Sequence, residues 1–176
     1  WGFDPEHQLY ANRGYAMLSV NFRGSTGFGK KFVNAANKEW AGKMHDDLID
    51  AVKWAVDSKI ADPARVAIMG GSYGGYATLV GLTFTPEQFA CGVDIVGPSN
   101  LQTLLSSIPP YWAPIKSMFA RRIGETCDVE AAAVALIGEG RAGEPVGDDV
   151  ATLLERRADH LGHVLGPVGG HHQCLR

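Results

Sequence analysis

Residues 66–77 read VAIMGGSYGGYA, an apolar run that stops at a serine flanked by glycines. Val66–Met69 is short and apolar, as in a buried strand, and the residues after Gly74 are compatible with a helix up to about Phe84. Between them, Ser72 fits the pattern G-x-S-x-G, in which a serine occupies a sharp turn with its Oγ exposed above a sheet. The stretch therefore predicts a strand, a nucleophilic serine and a helix, in this order.

The neighbours of Ser72 have predicted roles of their own. The backbone N–H of Tyr73 is expected to point at the oxyanion that develops during acyl transfer. Gly70 and Gly74 are expected to be required, because side chains two residues either side of the serine would collide. The alternative is a glycine-rich turn around an inert serine, and the strand before it and the helix after it argue against that interpretation.

The flanking sequence predicts a parallel sheet. Tyr15–Phe22 (YAMLSVNF) and Cys91–Val96 (CGVDIV) are typical of buried strands. Residues 46–57 carry apolar side chains at helical spacing, with two aspartates in the first turn, where the helix dipole favours anions. Strands that alternate with helices predict an α/β fold with a mostly parallel sheet and helices on both faces.

Composition excludes several classes of function. The chain has 176 residues, 45% hydrophobic and 20% charged, with a net charge of −3, so it lacks the basic surface that nucleic acid requires. No apolar run reaches the roughly 18 residues that span a bilayer, and no secretory leader is visible. Cys91, Cys127 and Cys174 are widely spaced, which favours reduced thiols. We expect a cytoplasmic protein that binds neither nucleic acid nor membrane, and the sequence indicates no oligomeric state.

A second motif competes with the serine. Gly24–Lys30 (GSTGFGK) matches the G-x4-G-K of a phosphate-binding loop. The next residue of such a loop is a Ser or Thr that holds Mg²⁺, and here it is Lys31. Among later apolar runs only Asp94 offers the acidic partner, with the wrong flanking residues. A structural glycine loop is therefore favoured over a nucleotide site.

Four segments occur in this order along the chain: NFRGSTGFGKKF, HDDLIDAVKWAV, DPARVAIMGGSYGGYAT and GVDIVGPSNL. Together they resemble the catalytic domain of prolyl oligopeptidase-family serine peptidases, and most nearly its acylaminoacyl-peptidase-like branch. The resemblance covers about residues 1–124 and implies an α/β-hydrolase fold that hydrolyses short or acylated peptides by acyl transfer, with no metal or organic cofactor. It implies that Ser72 is the nucleophile and the Tyr73 N–H an oxyanion donor. It also assigns Arg23 and Gly24 to a structural loop.

Parts of the family pattern have no match in this sequence. The family's His-Gly-Gly-Pro loop, which supplies the other oxyanion donor, would fall just before Trp1, and the β-propeller that limits substrate size has no counterpart. The chain is therefore expected to be a catalytic-domain fragment whose sheet is incomplete at both ends. Loss of one oxyanion donor typically costs about 3–4 kcal/mol of transition-state stabilisation.

The sequence does not identify the acid and the base of a catalytic triad. In this fold they follow the serine in the order Ser, Asp, His, so His7 and His45 lie on the wrong side of Ser72. Asp94 is expected to be a satisfied polar residue at a strand end. The aspartates and histidines after Ser72 are Asp94, Asp128, Asp148, Asp149, Asp159, His160, His163, His171 and His172.

Residues 125–176 have a different composition. Ala, Gly, Arg and Pro make up 21 of these 52 residues, and no aromatic residue follows Phe119. We hypothesise that the reading frame shifts near Gly124–Cys127, because these four residue types have GC-rich codons. The alternative is a divergent C-terminus with one amphipathic helix at 150–165. DNA sequencing across the codons for residues 121–130, with translation of all three frames, tests the hypothesis: a Gly-His-Gly segment in another frame supports it.

The end of the chain also offers a candidate metal site. His171, His172 and Cys174 could be drawn as metal ligands, but the glycine-rich terminus around them provides no fixed geometry. No metal site is predicted there.

The function predicted from the sequence is that of a serine peptidase. Without an identified base, Ser72 is an ordinary alcohol and a poor nucleophile, so the chain is expected to be inactive or weak as it stands. Two alternatives remain open. One is a carboxylesterase of the same fold, and the other is a non-catalytic binding protein that keeps the fold without the chemistry.

Overall fold

The computed structural model describes residues 2–124, which form six helices and two strands. The helices are α1 (Pro5–Ala11), α2 (Lys30–Asn34), α3 (Lys43–Asp57), α4 (Tyr73–Phe84), α5 (Leu101–Ser106) and α6 (Ala113–Ile123), and the strands are β1 (Ala67–Gly71) and β2 (Cys91–Ile95). Single 3-10 turns precede β1 and α6. Within this part of the chain no helix is long and apolar enough to cross a membrane.

The centre of the fold is a strand–helix–strand unit. β1 and β2 pair in parallel, with Ala67 beside Cys91 and Gly71 beside Ile95. α4 connects the two strands and packs against both. The prediction of two parallel strands joined by a helix is confirmed, and the strand ends differ from the predicted ones by one or two residues. The predicted helix at 46–57 is also confirmed, as α3.

The hydrophobic core is built around α4. This helix is buried from Gly75 to Gly81, as expected of a helix that is apolar on all sides. Tyr76 and Val80 form a buried cluster with Leu101 of α5 and Ile123 of α6. Within the described part of the chain the Tyr76 hydroxyl has no hydrogen-bond partner, and burial raises the pKa of Tyr76 to about 12. The core therefore ties the two last described helices to the central unit.

The predicted strand at Tyr15–Phe22 is wrong. The segment has no strand assignment, and its side chains are partly or fully exposed, with Leu18 at 51%. A strand needs a neighbour that pairs its N–H and C=O groups, and among residues 2–124 β1 and β2 pair only with each other. The apolar run is a sufficient signal for burial in a strand only if a neighbouring strand is present to pair with it, and none is found among residues 2–124.

The loop after this segment is anchored to α3. Asp47 accepts from the backbone N–H and the Nε of Arg23, both at 2.8 Å, and from its Nη2 at 2.6 Å. These hydrogen bonds hold the pKa of the Asp47 carboxyl below its usual range. A Cβ added to Gly24, at φ 99°, would lie 2.7 Å from the Cβ of Ala36. Arg23 and Gly24 thus make the contacts of a structural loop, as the family resemblance implies.

His45 of α3 gives the fold a dependence on pH. The side chain is buried, its Nε2 lies 3.0 Å from Thr85 Oγ1, and its Nδ1 has no partner among the described atoms. Burial lowers the pKa of His45 below the ordinary 6.5, against a smaller opposing effect of Asp46. His45 therefore binds its proton at a higher pH in the unfolded chain than in the folded chain.

We predict that the free energy of unfolding is highest above pH 6.5 and falls as the pH drops from there through the lowered pKa of His45. His45→Gln removes the titration and keeps a group that can bond Thr85. Chemical denaturation between pH 5 and 8 checks this, and we expect a flatter profile in the variant. An equally steep loss of stability in both chains between pH 6.5 and 5 would contradict the prediction.

Candidate active site

Ser72 lies on a sharp, strained turn between β1 and α4. Its backbone angles are φ 56° and ψ −114°, in a region that residues with a side chain rarely adopt and that is found mainly at functional sites. The Ser72 N–H donates to the carbonyl of Ile95 at 2.9 Å, and the Ser72 carbonyl accepts from the N–H of Tyr76 at 3.1 Å. β2 and α4 thus fix the peptide groups on both sides of an exposed serine.

Glycines allow the backbones around Ser72 to approach each other. A Cβ added to Gly70 would lie 2.6–2.7 Å from the backbone of Gly74, and one added to Gly75 would lie 2.7 Å from the Cα of Gly97. The expectation for Gly74 itself is wrong, because a Cβ there would meet no described atom within 4 Å outside its chain neighbours and the backbone of α4. Gly74 matters for the position of its backbone, whereas Gly70 matters because it lacks a side chain.

The backbone N–H of Tyr73 is the first amide of α4. The first amides of a helix have no acceptor within the helix, and this end carries the positive part of the helix dipole. The arrangement is compatible with an oxyanion donor. The role of this amide remains a prediction, as does the nucleophilic role of Ser72.

The side chain of Tyr73 is held by an aromatic cluster. Its ring centroid lies 4.6 Å from that of Trp40, 5.4 Å from Phe22 and 6.1 Å from Tyr76. Its hydroxyl donates to the Sδ of Met44 at 3.5 Å. Burial raises the pKa of Tyr73 above its usual range, with smaller contributions from Tyr76 and Asp47, so the phenol stays neutral at physiological pH. These contacts fix the residue that carries the candidate oxyanion amide.

A mainly apolar cleft of about 320 Å³ adjoins Tyr73. Its walls include Trp40, Met118 and Phe119. Arg122 also lines it, but the guanidinium donates to the carbonyl of Val33 at 2.6 Å and to Asn37 Oδ1 at 3.1 Å. The cation thus has partners of its own, and the cleft is suited to an apolar group.

None of the acid and base candidates before residue 125 completes a triad. Asp94 Oδ1 accepts from the N–H of Gly97 at 2.8 Å, which confirms it as a satisfied polar residue at a strand end. His45 is bonded to Thr85, and the Nε2 of His7 lies 2.8 Å from Ser19 Oγ. Neither histidine bonds Ser72. The remaining candidates lie outside the described residues: Asp128, Asp148, Asp149, Asp159, His160, His163, His171, His172 and Cys174.

The competing phosphate-loop interpretation of Gly24–Lys30 is not supported. Such a loop connects a strand to a helix, and no strand precedes Gly24 in the described chain. The helix that follows, α2, has only five residues. Among residues 2–124 no three His, Cys, Asp or Glu side chains are grouped as metal ligands.

Sequence reasoning missed two features of this site. One is the aromatic cluster around Tyr73, because Phe22 and Trp40 are distant from Tyr73 in sequence and meet it only in the tertiary fold. The other is the backbone of Val96, which follows β2 with φ 52°. The sequence contains part of the signal for this turn. Gly97 comes directly after the predicted strand that ends at Val96, and a glycine at that place indicates a turn.

Comparison with known proteins places the chain in one family. Residues 1–120 match the model of the prolyl oligopeptidase family. Dipeptidyl aminopeptidase BIII of Pseudoxanthomonas mexicana is 70% identical over 125 residues, which are 71% of this chain and 18% of that protein. The solved structure of a Mycobacterium tuberculosis puromycin-hydrolyzing peptidase is 33% identical, with a TM-score of 0.67, and the match covers 74% of this chain and 20% of that one.

A second solved structure also matches. It is an acylaminoacyl peptidase in complex with Z-Gly-Gly-Phe-chloromethyl ketone, 28% identical with a TM-score of 0.62, over 73% of this chain and 21% of that one. The chain thus spans about a fifth of the length of the relatives that it matches.

Alanine at the two glycines should have opposite effects. We predict that Gly70→Ala lowers the free energy of unfolding by about 1–3 kcal/mol, because its Cβ collides with backbone that cannot move aside. Gly74→Ala should leave it unchanged or raise it by up to about 1 kcal/mol, because alanine is the better helix former. Urea denaturation of both variants checks this, and equal effects would contradict the packing described for the turn.

Proposed function

The chain belongs to the prolyl oligopeptidase family, and we propose that it carries the nucleophile of a serine peptidase that cleaves short peptides. Its relatives and structural neighbours are peptidases, and its fold is part of an α/β-hydrolase fold. The observation that carries the proposal is Ser72 itself, an exposed serine at φ 56° between a parallel strand and a buried helix. That is the geometry in which a G-x-S-x-G serine acts as a nucleophile.

The proposed chemistry is acyl transfer. The Oγ of Ser72 attacks the carbonyl carbon of the scissile bond, and the oxyanion that forms accepts a hydrogen bond from the Tyr73 N–H. Collapse of this intermediate expels the amine, which takes up a proton, and leaves the acyl group on Ser72. Water then attacks the ester and releases the acid.

The proton of Ser72 needs an acceptor, and we assign no base within residues 2–124. A serine without a base is a poor nucleophile. We therefore propose that this chain reacts slowly or not at all with peptides.

The mainly apolar cleft is lined in part by Tyr73, the residue that follows the candidate nucleophile, and this supports a substrate that carries an apolar group. The acylaminoacyl peptidase of known structure holds a peptide chloromethyl ketone, which supports peptides or acylated peptides as the substrate class. The 70% identity to a dipeptidyl aminopeptidase supports release of dipeptides from an N-terminus. We retain a cytoplasmic location as part of the proposal.

Reaction with a fluorophosphonate tests the nucleophile. We predict slow, stoichiometric labelling at Ser72, located by mass spectrometry of the digested protein and abolished in Ser72→Ala. Ser19→Ala is the matched control, because Ser19 Oγ lies 2.8 Å from the Nε2 of His7, whereas no histidine among residues 2–124 bonds Ser72. We expect this variant to label at the rate of the unchanged chain.

Labelling at Ser19, or none in a chain that melts cooperatively, would contradict the proposal, and the second result would favour a non-catalytic binding protein. A parallel assay with p-nitrophenyl esters and peptide p-nitroanilides separates the enzymes. Turnover of esters with none of anilides would favour a carboxylesterase.

A further inference from the structure

Val96 combines backbone strain with exposure. Five non-glycine residues of the described chain have positive φ: Lys38, Ala41, Lys59, Ser72 and Val96. Val96 is the β-branched member of this set, and β-branched residues are true outliers in that region. The residue is also 85% exposed, the highest value among the exposed large hydrophobic residues within 2–124. The strain is therefore not compensated by packing.

The turn at Val96 has a structural cause. The carbonyl of Ile95 accepts from the N–H of Ser72, while the backbone of Gly97 lies against Gly75 and its N–H donates to Asp94 at 2.8 Å. The chain must bend between Ile95 and Gly97 to make both sets of contacts, and the bend imposes a positive φ. Glycine would adopt that angle at little cost, so the requirement for the turn does not explain a valine.

The position of Val96 offers an explanation. It directly follows the residue that bonds the amide of Ser72, at the carboxyl ends of β1 and β2. Asp94 and Gly75 occupy the inner side of the turn, and the isopropyl group extends into solvent. The strained turn thus holds an apolar group at the edge of the sheet where the exposed serine lies.

We propose that Val96 is a specificity-determining residue that contacts an apolar group of the substrate bound at Ser72. This inference rests on the function proposed above. The isopropyl group of Val96 becomes buried only when substrate is bound, and the turn holds it in position before binding. A substrate without an apolar group at that place makes no such contact, so Val96 does not increase its rate of reaction at Ser72.

Paired glycine variants separate this role from release of strain. Val96→Gly removes the isopropyl group, and Lys59→Gly makes the same backbone change at φ 60° in the exposed turn after α3. Ser72 is labelled with two alkyl fluorophosphonates, one with a short and one with a long alkyl chain. We expect the rate preference for the long chain to fall roughly tenfold in Val96→Gly and to stay unchanged in Lys59→Gly. Equal preferences in all three proteins would overturn the proposal.

A binding measurement keeps the test independent of the reactivity of Ser72. The valine methyl groups are labelled for NMR, the Val96 signals are identified by their loss in Val96→Gly, and N-acetylphenylalanine amide is added. We expect the Val96 methyl signals to shift. If Ser72 does not label but these signals shift, the proposed function fails and the contact stands. If they do not move while the ligand is in excess, the contact at Val96 is refuted.

Discussion

The close approach of three backbone segments is the constraint on which the site depends. Gly70 at the end of β1 lies against Gly74 of α4, and Gly75 of α4 lies against Gly97 after β2. Side chains at Gly70, Gly75 or Gly97 would push the segments apart. With the segments in contact, the hydrogen bond from Ser72 to Ile95 can form, and the serine is held at a backbone angle that a free chain would avoid.

Strain of this kind costs about 1–3 kcal/mol and persists only where the surroundings over-determine it. Here the surroundings are the buried helix α4, whose Tyr76 and Val80 contact α5 and α6 through Leu101 and Ile123. The aromatic cluster adds a second layer. Arg23 and Asp47 fix the loop that carries Phe22, and Phe22 packs on Tyr73. The ion pair is about a quarter exposed, so its own effect on stability is modest, and its main effect is to define where that loop lies.

The sequence predicted what is local. The apolar run, the glycines and the apolar helix after Ser72 lie within a dozen residues, so their order alone specifies β1, the turn and α4. Pairing partners are not local, which is why the apolar run at Tyr15–Phe22 predicts a strand that the described structure does not contain. The aromatic cluster escaped prediction for the same reason, since Phe22 and Trp40 meet Tyr73 only through the tertiary fold. Triad partners are set by tertiary contacts as well, and no pattern of spacing from Ser72 identified them.

The most direct test of the site is a crystal structure of the chain after phosphonylation. We expect phosphorus on the Oγ of Ser72, a phosphoryl oxygen about 2.7–3.1 Å from the backbone nitrogen of Tyr73, and a positive φ at Ser72. An adduct whose oxygens point away from that nitrogen, or a Ser72 that has relaxed to negative φ, would contradict the proposal that the contacts at Gly70 and Gly75 hold this serine in place for acyl transfer.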